Sequence, residues 1–299
     1  MSLRLAVATE DFGTPLRKAI ALAGRARVPG VRLNARHEIL AENISASGLR
    51  QLSQYAHQNR MEIAGLSCPT RHSLADPAYL EERVQLIRSV MDLARPLRTS
   101  HVLVPCGLIP NPASDRPVTE PDSADSAQLA NPFSFAAAPS RNSNTVTQED
   151  QFATLCQVVT DLVSYGNHVG CTLTLQLANY SVSLVQQLIT AVNDGPLQIV
   201  FDPAVAVFTG ANIIDTYRHL YGHIGFVRAR DGIRNADYSG TETPVGDGVV
   251  DWDELLPTLT EADYTGWVCV ERTGGDHRET DVLKGVACVK SLLPEPAEG

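Results

Sequence analysis

The sequence predicts an α/β fold of one kind, a (β/α)₈ barrel. Eight short β-branched apolar runs alternate with eight longer amphipathic segments along 299 residues. That order builds a parallel sheet covered by helices. A second observation removes the chief competitor. An open doubly wound sheet holding a dinucleotide carries G-x-G-x-x-G after an early strand, and this chain has none.

The elements follow in order. Strand one is expected at residues 3–8, with a helix over 15–26. Residues 30–33 and 47–59 form the second pair, and 62–66 and 77–94 the third. Strand four, 101–105, is separated from its helix, 148–168, by a long segment of different composition. Strands at 172–177, 198–202, 224–229 and 267–271 are followed by helices over 182–193, 213–221, 252–262 and 278–292. Asp76 before Pro77 and Asp251 before Trp252 read as N-caps. The barrel is expected to occupy residues 1–293, with 294–299 as a solvated tail.

The segment 106–147 breaks this rhythm. It is rich in Pro, Ser and Asn and holds six of the 18 prolines: Pro110, Pro112, Pro117, Pro121, Pro132 and Pro139. Such a stretch reads as a flexible surface insertion. Its place after strand four brings it out where barrel active sites are built, so a lid reading stands beside the first. The apolar "NPFSF" within it could then dock on the barrel mouth.

Charge and composition narrow the function classes. Hydrophobic residues make up 43% and charged residues 19%, as in a globular protein. Lys plus Arg number 24 against 34 Asp plus Glu, a net charge of −10 without a basic run. This disfavours a nucleic-acid or membrane-surface partner while leaving room for a local cationic pocket. The start "MSLRLAVATEDFG" lacks a signal-peptide core, and no run is long enough to span a bilayer. Six cysteines form no C-x-x-C pair and read as free thiols in a cytoplasmic protein.

The stretch "GFVRARDG", residues 225–232, sets Phe226, Arg228 and Arg230 on one face of strand seven. Guanidinium groups on an inward face need a partner or an exit to water. At the C-terminal ends of the strands the barrel also gathers Glu10, Arg32, Asn34, Arg36, His37, Arg71, His72, Gln176, Asn179, Asp202, Asp231, Arg234 and Glu271. His101 and His223 begin strands and His168 and His219 lie near helix ends, all away from the mouth.

The last third carries a resemblance. "IVFDPAVAVFTG" resembles a strand-six pattern of Asp followed by a small residue or Pro. "HIGFVRARDG" resembles a strand-seven H-x-H-x-K-D pattern, and "GCTLTLQLAN" a strand five that usually ends in Glu-Asn. "PVGDGVVDWDELLPTLTEADYTGWVCVE" is similar to a Gly-rich turn, helix and final strand ending in Glu. Together they resemble the xylose isomerase-like TIM barrel superfamily, which includes the sugar phosphate isomerases and epimerases. The resemblance implies a small-molecule sugar or anionic polyol as ligand, isomerase or epimerase chemistry, and self-association. It also implies a Mn²⁺ or Mg²⁺ site of Glu, Asp, His and Glu on strands five to eight, with the two Glu side chains moving a proton.

Aligned by motif, those four positions are Gln176, Asp202, Arg228 and Glu271. Gln176 can offer a carbonyl oxygen but cannot act as a base, and Arg228 has no lone pair to give a metal. The expectation is a degraded metal site in which Arg228 takes the place of the cation between Asp202 and Glu271. The opposing reading has Arg228 reaching solvent above Phe226. On the first, Glu271 serves as base and Arg228 as electrophile, with Gln176, Asn179, Arg32, Arg71, His72, Arg230 and Arg234 contacting substrate. Two alternatives stand beside it: a non-catalytic barrel that binds a ligand or protein, and a metal-dependent sugar isomerase or epimerase with a non-standard site. Gly274 and Gly275 before the last helix add a candidate phosphate site. Cys68 and Cys106, near His72, leave a thiol nucleophile conceivable, although packing explains them better.

Overall fold

The computed structural model describes residues 3–114, 146–192, 195 and 197–293. Eight parallel strands close into a barrel: β1 (Arg4–Ala8), β2 (Gly30–Asn34), β3 (Glu62–Ser67), β4 (His101–Gly107), β5 (Thr172–Leu177), β6 (Gln198–Phe201), β7 (Ile224–Ala229) and β10 (Trp267–Val270). β10 closes the ring against β1, with Arg4 opposite Trp267 and Val7 opposite Val270. The helices α1 (Leu16–Arg25), α2 (Ala46–Gln58), α3 (Leu80–Ala94), α4 (Gln148–Val169), α5 (Val182–Ala191), α7 (Ile213–Leu220), α8 (Trp252–Glu261) and α9 (Arg278–Ser291) fall on the eight expected stretches. Most of the expected insertion, residues 115–145, lies outside the described residues, as does the 294–299 tail.

Two layers of packing follow from alternation along each strand. One side of the strands, with Val7, Leu33, Val104, Leu175 and Phe201, packs in the large core shared with the helices. The other side forms the barrel interior: Ala6, Ala8, Ala64, Leu103, Val200, Phe226, Trp267 and Cys269. Small residues on β1 and β3 leave volume for the Phe226 and Trp267 rings. Gly30 belongs to the same fit, since a Cβ there would lie 2.4 Å from the Trp267 ring. His101 begins β4, edge-on to Phe226, and burial pushes its imidazole down to about 4.

Three local features depart from expectation. A short helix, α6 (Pro203–Thr209), follows β6 directly, and Asp202 is its N-cap rather than a strand residue. Its seven residues are too few and too uniformly apolar to show a helical period. The chain after β7 forms an antiparallel hairpin, β8 (Asp231–Arg234) and β9 (Gly240–Thr243). Asp76 does not cap α3: its Oδ1 accepts from the Ala78 amide, while the helix starts three residues after Pro77 behind Tyr79. Asp251 does cap α8, accepting from the Glu254 amide at 3.0 Å.

Candidate functional site

The mouth of the barrel is filled by a lattice of charged side chains from five barrel strands or the turns after them. Glu271 follows β10 and its carboxylate is wholly buried. Arg228 from β7 donates to Oε2 through Nε at 2.7 Å, with Nη2 at 2.6 Å. Arg32 from β2 donates to Oε1 at 2.8 Å and reaches Glu10, after β1, at 3.1 Å. Asp202, after β6, divides its oxygens. Oδ1 accepts from the Ala204 and Val205 amides of α6, while Oδ2 faces Arg230 at 2.8 Å and Arg228 at 3.3 Å. Arg228 thus spans the two carboxylates that the motif alignment pairs.

Electrostatics follow from this packing. Arg228 and Arg32 hold the Glu271 carboxyl at about 2, against the opposing effect of burial. Asp11, in the 3₁₀ turn after β1, behaves oppositely. Burial first, then the negative charge of Glu271, pushes it up to about 7. Its Oδ2 accepts from the Arg272 amide at 2.8 Å, which ties the turn after β1 to the turn after β10.

Glu242 on β9 anchors the hairpin. It accepts from Arg230 Nε at 2.9 Å, from the Thr273 amide and hydroxyl at 3.1 and 2.7 Å, and from the Gly274 amide at 2.9 Å. The glycine turn expected to receive a phosphate therefore receives the protein's own carboxylate. Arg230 is fully engaged, with Asp202, Glu242 and Thr273 taking its donors, so in this arrangement it is a clasp. Arg234 stands exposed on the hairpin over the Tyr238 ring, its guanidinium against Gly210. Asp231 accepts four bonds from Gly232, Gly246, Val250 and Trp252 and is a structural hub.

Gln176, one residue before the end of β5, lies beside Val200 of β6 and is half-buried, as is Asn179. Arg71 and His72 lie farther out, in a cleft of about 410 Å³ between the turns after β2 and β3 and the start of α3. Cys68 and Cys106 are buried and their thiols are pushed up to about 12, which leaves no thiolate for nucleophilic chemistry near neutral pH. Sequence reasoning missed Asp11, Glu242 and Arg272. The acidic pair Glu10-Asp11 directly after strand one was the available signal for the first. Glu242 gave none, because its partners come from two other turns.

The chain matches the xylose isomerase-like TIM barrel family over residues 28–292 and belongs to that family. Solved structures place it in the same fold. A xylose isomerase domain protein from Planctomyces limnophilus aligns with a TM-score of 0.75 at 16% identity, covering 98% of each chain. The 3-keto-D-glucoside 4-epimerase of E. coli aligns at 0.69 and 12% identity over 97% of this chain and 99% of its own. A xylose isomerase-like barrel protein from Mycobacterium smegmatis in complex with magnesium aligns at 0.69 and 14% identity, over 98% and 96%. No curated protein matches this sequence. No helix among the described residues is long and apolar enough to cross a membrane.

Proposed function

We propose that the barrel mouth binds a small anionic polyol or sugar derivative, with Arg228 in the place where the resemblance puts a metal-ligating imidazole. One observation carries this reading: the Arg228 guanidinium lies 2.6 Å from Glu271 and 3.3 Å from Asp202. A divalent cation there would need electron-pair donors, and a guanidinium supplies only N–H groups and a positive charge. The residues present do not fit a resident Mn²⁺ or Mg²⁺. Loss of a carboxylate at Gln176 is consistent with the smaller charge of an arginine. Sugar epimerases among the structural neighbours support the polyol class of ligand.

The same geometry revises the role expected of Glu271. A carboxyl held at about 2 by two guanidinium groups has little affinity for a substrate proton. Binding without turnover follows as the primary reading, with Arg228 and Arg32 orienting ligand oxygens as ion-paired donors. A second, catalytic reading rests on Asp11, in the turn between Arg32 and Glu271, whose carboxyl near 7 suits acid–base work.

Titration of the full chain with MnCl₂, followed by calorimetry and electron paramagnetic resonance, tests the replacement. The expected result is no site that depends on Asp202 or Glu271. A stoichiometric Mn²⁺ site lost in Asp202→Asn and Glu271→Gln would overturn it. Incubation with D-fructose 6-phosphate in D₂O separates the two readings: deuterium wash-in that disappears in Asp11→Asn selects catalysis, and no wash-in selects binding.

A further inference from the structure

The cleft outside the charged lattice has a chemistry of its own. Arg36, Arg71 and Arg83 line it against one carboxylate, Glu82, with His72 and Tyr79 completing the wall. Arg83 is the informative member. It is 6% exposed, yet its guanidinium is satisfied only by the Ala78 and Asp76 carbonyls, and its Nε has no partner. Among the described residues it makes no ion pair. The Asp76 carboxylate acts on it only from beyond ion-pair distance and is itself paired with His72, so this buried cation lacks a direct counter-charge. Arg36 likewise spends one donor on the Pro69 carbonyl at 3.2 Å, and Arg71 is exposed.

Tyr79 supplies an independent observation. Its φ of 53° puts a bulky residue in the left-handed region immediately before a helix. N-cap residues ordinarily take extended angles. Four of the five other non-glycine residues with positive φ follow helices, where such angles end the element, and the fifth sits in the hairpin turn. The strained backbone presents a ring that is 70% exposed, its centroid 6.3 Å from the His72 ring. Exposure and strain together are an arrangement kept for contact with something else.

We infer that this cleft receives the anionic end of a hydroxylated ring compound, a phosphate or carboxylate on a sugar, with the arginines taking the charge and Tyr79 packing against the ring. The class of ligand rests on the polyol reading above. The cleft follows β2 and β3 at their C-terminal ends, so it opens on the same face as the charged lattice. His72 is held by Asp76 at 2.8 Å, which fixes the ring beside Tyr79.

Calorimetric titration with D-glucose 6-phosphate, D-glucuronate, inorganic phosphate and neutral D-glucose tests the inference. At least one charged sugar binds and glucose does not, and the stronger of the two identifies the anion. Arg71→Ala weakens that probe about tenfold or more, as loss of a charge-assisted contact should. Tyr79→Gly removes the ring without disturbing the backbone. It weakens the charged sugar, leaves inorganic phosphate unaffected and raises the melting temperature. Equal binding of glucose, no binding of any anion, or an unchanged affinity in Tyr79→Gly overturns the inference. A charged sugar whose binding is lost in Arg228→Met and unchanged in Arg71→Ala sits at the lattice alone, which overturns this inference and leaves the lattice reading standing.

Discussion

Replacing Arg228 by Met tests whether the lattice holds the mouth together by charge. Glu271 accepts from Arg228 at 2.7 and 2.6 Å and keeps only Arg32 at 2.8 Å once Arg228 is gone. Asp202 is better protected, with Arg230 at 2.8 Å and two helix amides still in place. The cost therefore falls on Glu271, which is fully buried. Breaking such a pair costs about 3–5 kcal/mol, which in a chain of this size lowers the melting temperature by roughly 5–10 °C. The pH dependence gives the sharper readout. In the native protein the Glu271 carboxyl sits at about 2, below its ordinary 4.5. Its stabilisation is thus complete above pH 4.5 and is lost as pH falls toward 2. Burial is already the largest single influence on Glu271; without the opposing charge of Arg228 it raises the carboxyl, so the variant takes up a proton on acidification. Scanning calorimetry at pH 7.5 and pH 5 should show the gap between the two proteins narrowing at the lower pH. A gap under about 2 °C at pH 7.5, or one that widens toward pH 5, would refute the reasoning.

Asp11 has the opposite sign. Its folded carboxyl is raised from 3.8 to about 7, so native stability should decline as pH rises between those values by roughly 2–4 kcal/mol. Denaturant titration across that range should find the slope flattened in Asp11→Asn. Gly30→Ala drives a methyl to 2.4 Å from the Trp267 ring and should cost about 1–3 kcal/mol, read as a lower urea midpoint. Removing the Glu242 charge with Gln should loosen the hairpin first. Amide exchange at Ile233 and Thr241 should then accelerate before any change in β1 or β10.

The barrel was legible because its signal is periodic and local. β5 and β7 occupy the expected residues, and the others differ by a residue or two at their ends. What escaped detection was set by partners far away in sequence. Nothing near Glu242 distinguishes a solvated loop carboxylate from one that accepts four bonds from the turn after β10 and from Arg230. Asp11 reads as half of an ordinary acidic pair until burial, and then Glu271 260 positions on, raise its affinity for a proton. Arg230 and Arg234 look equivalent in "RARDGIR", yet the link between β7 and β8 turns one toward Asp202 and β8 carries the other out over Tyr238. Arg71 and His72, expected at the mouth, follow β3 at its C-terminal end and line the outer cleft. The cleft itself was not legible, because α3 supplies Arg83.

Charge explains why the substitutions at the motif positions come as a set. A divalent ion among three carboxylates leaves a local balance of −1; one guanidinium facing Asp202 and Glu271, with Gln176 neutral, leaves the same. The lattice then extends beyond that balance, since Arg32 and Arg230 bring two more positive charges and Glu10 and Glu242 bring two negative ones. Each added cation spans two anions and each of Asp202 and Glu271 meets two cations, so no charge in the chain Glu10–Arg32–Glu271–Arg228–Asp202–Arg230–Glu242 is left bare. Such a chain is self-satisfied, and a neutral sugar has nothing to offer it that the protein does not already supply. An anionic ligand finds unspent donors at the rim of the same face, where Arg36, Arg71 and Arg83 line one cleft with a single carboxylate, Glu82. This is the physical reason to look for a charged ligand at this face rather than a neutral one.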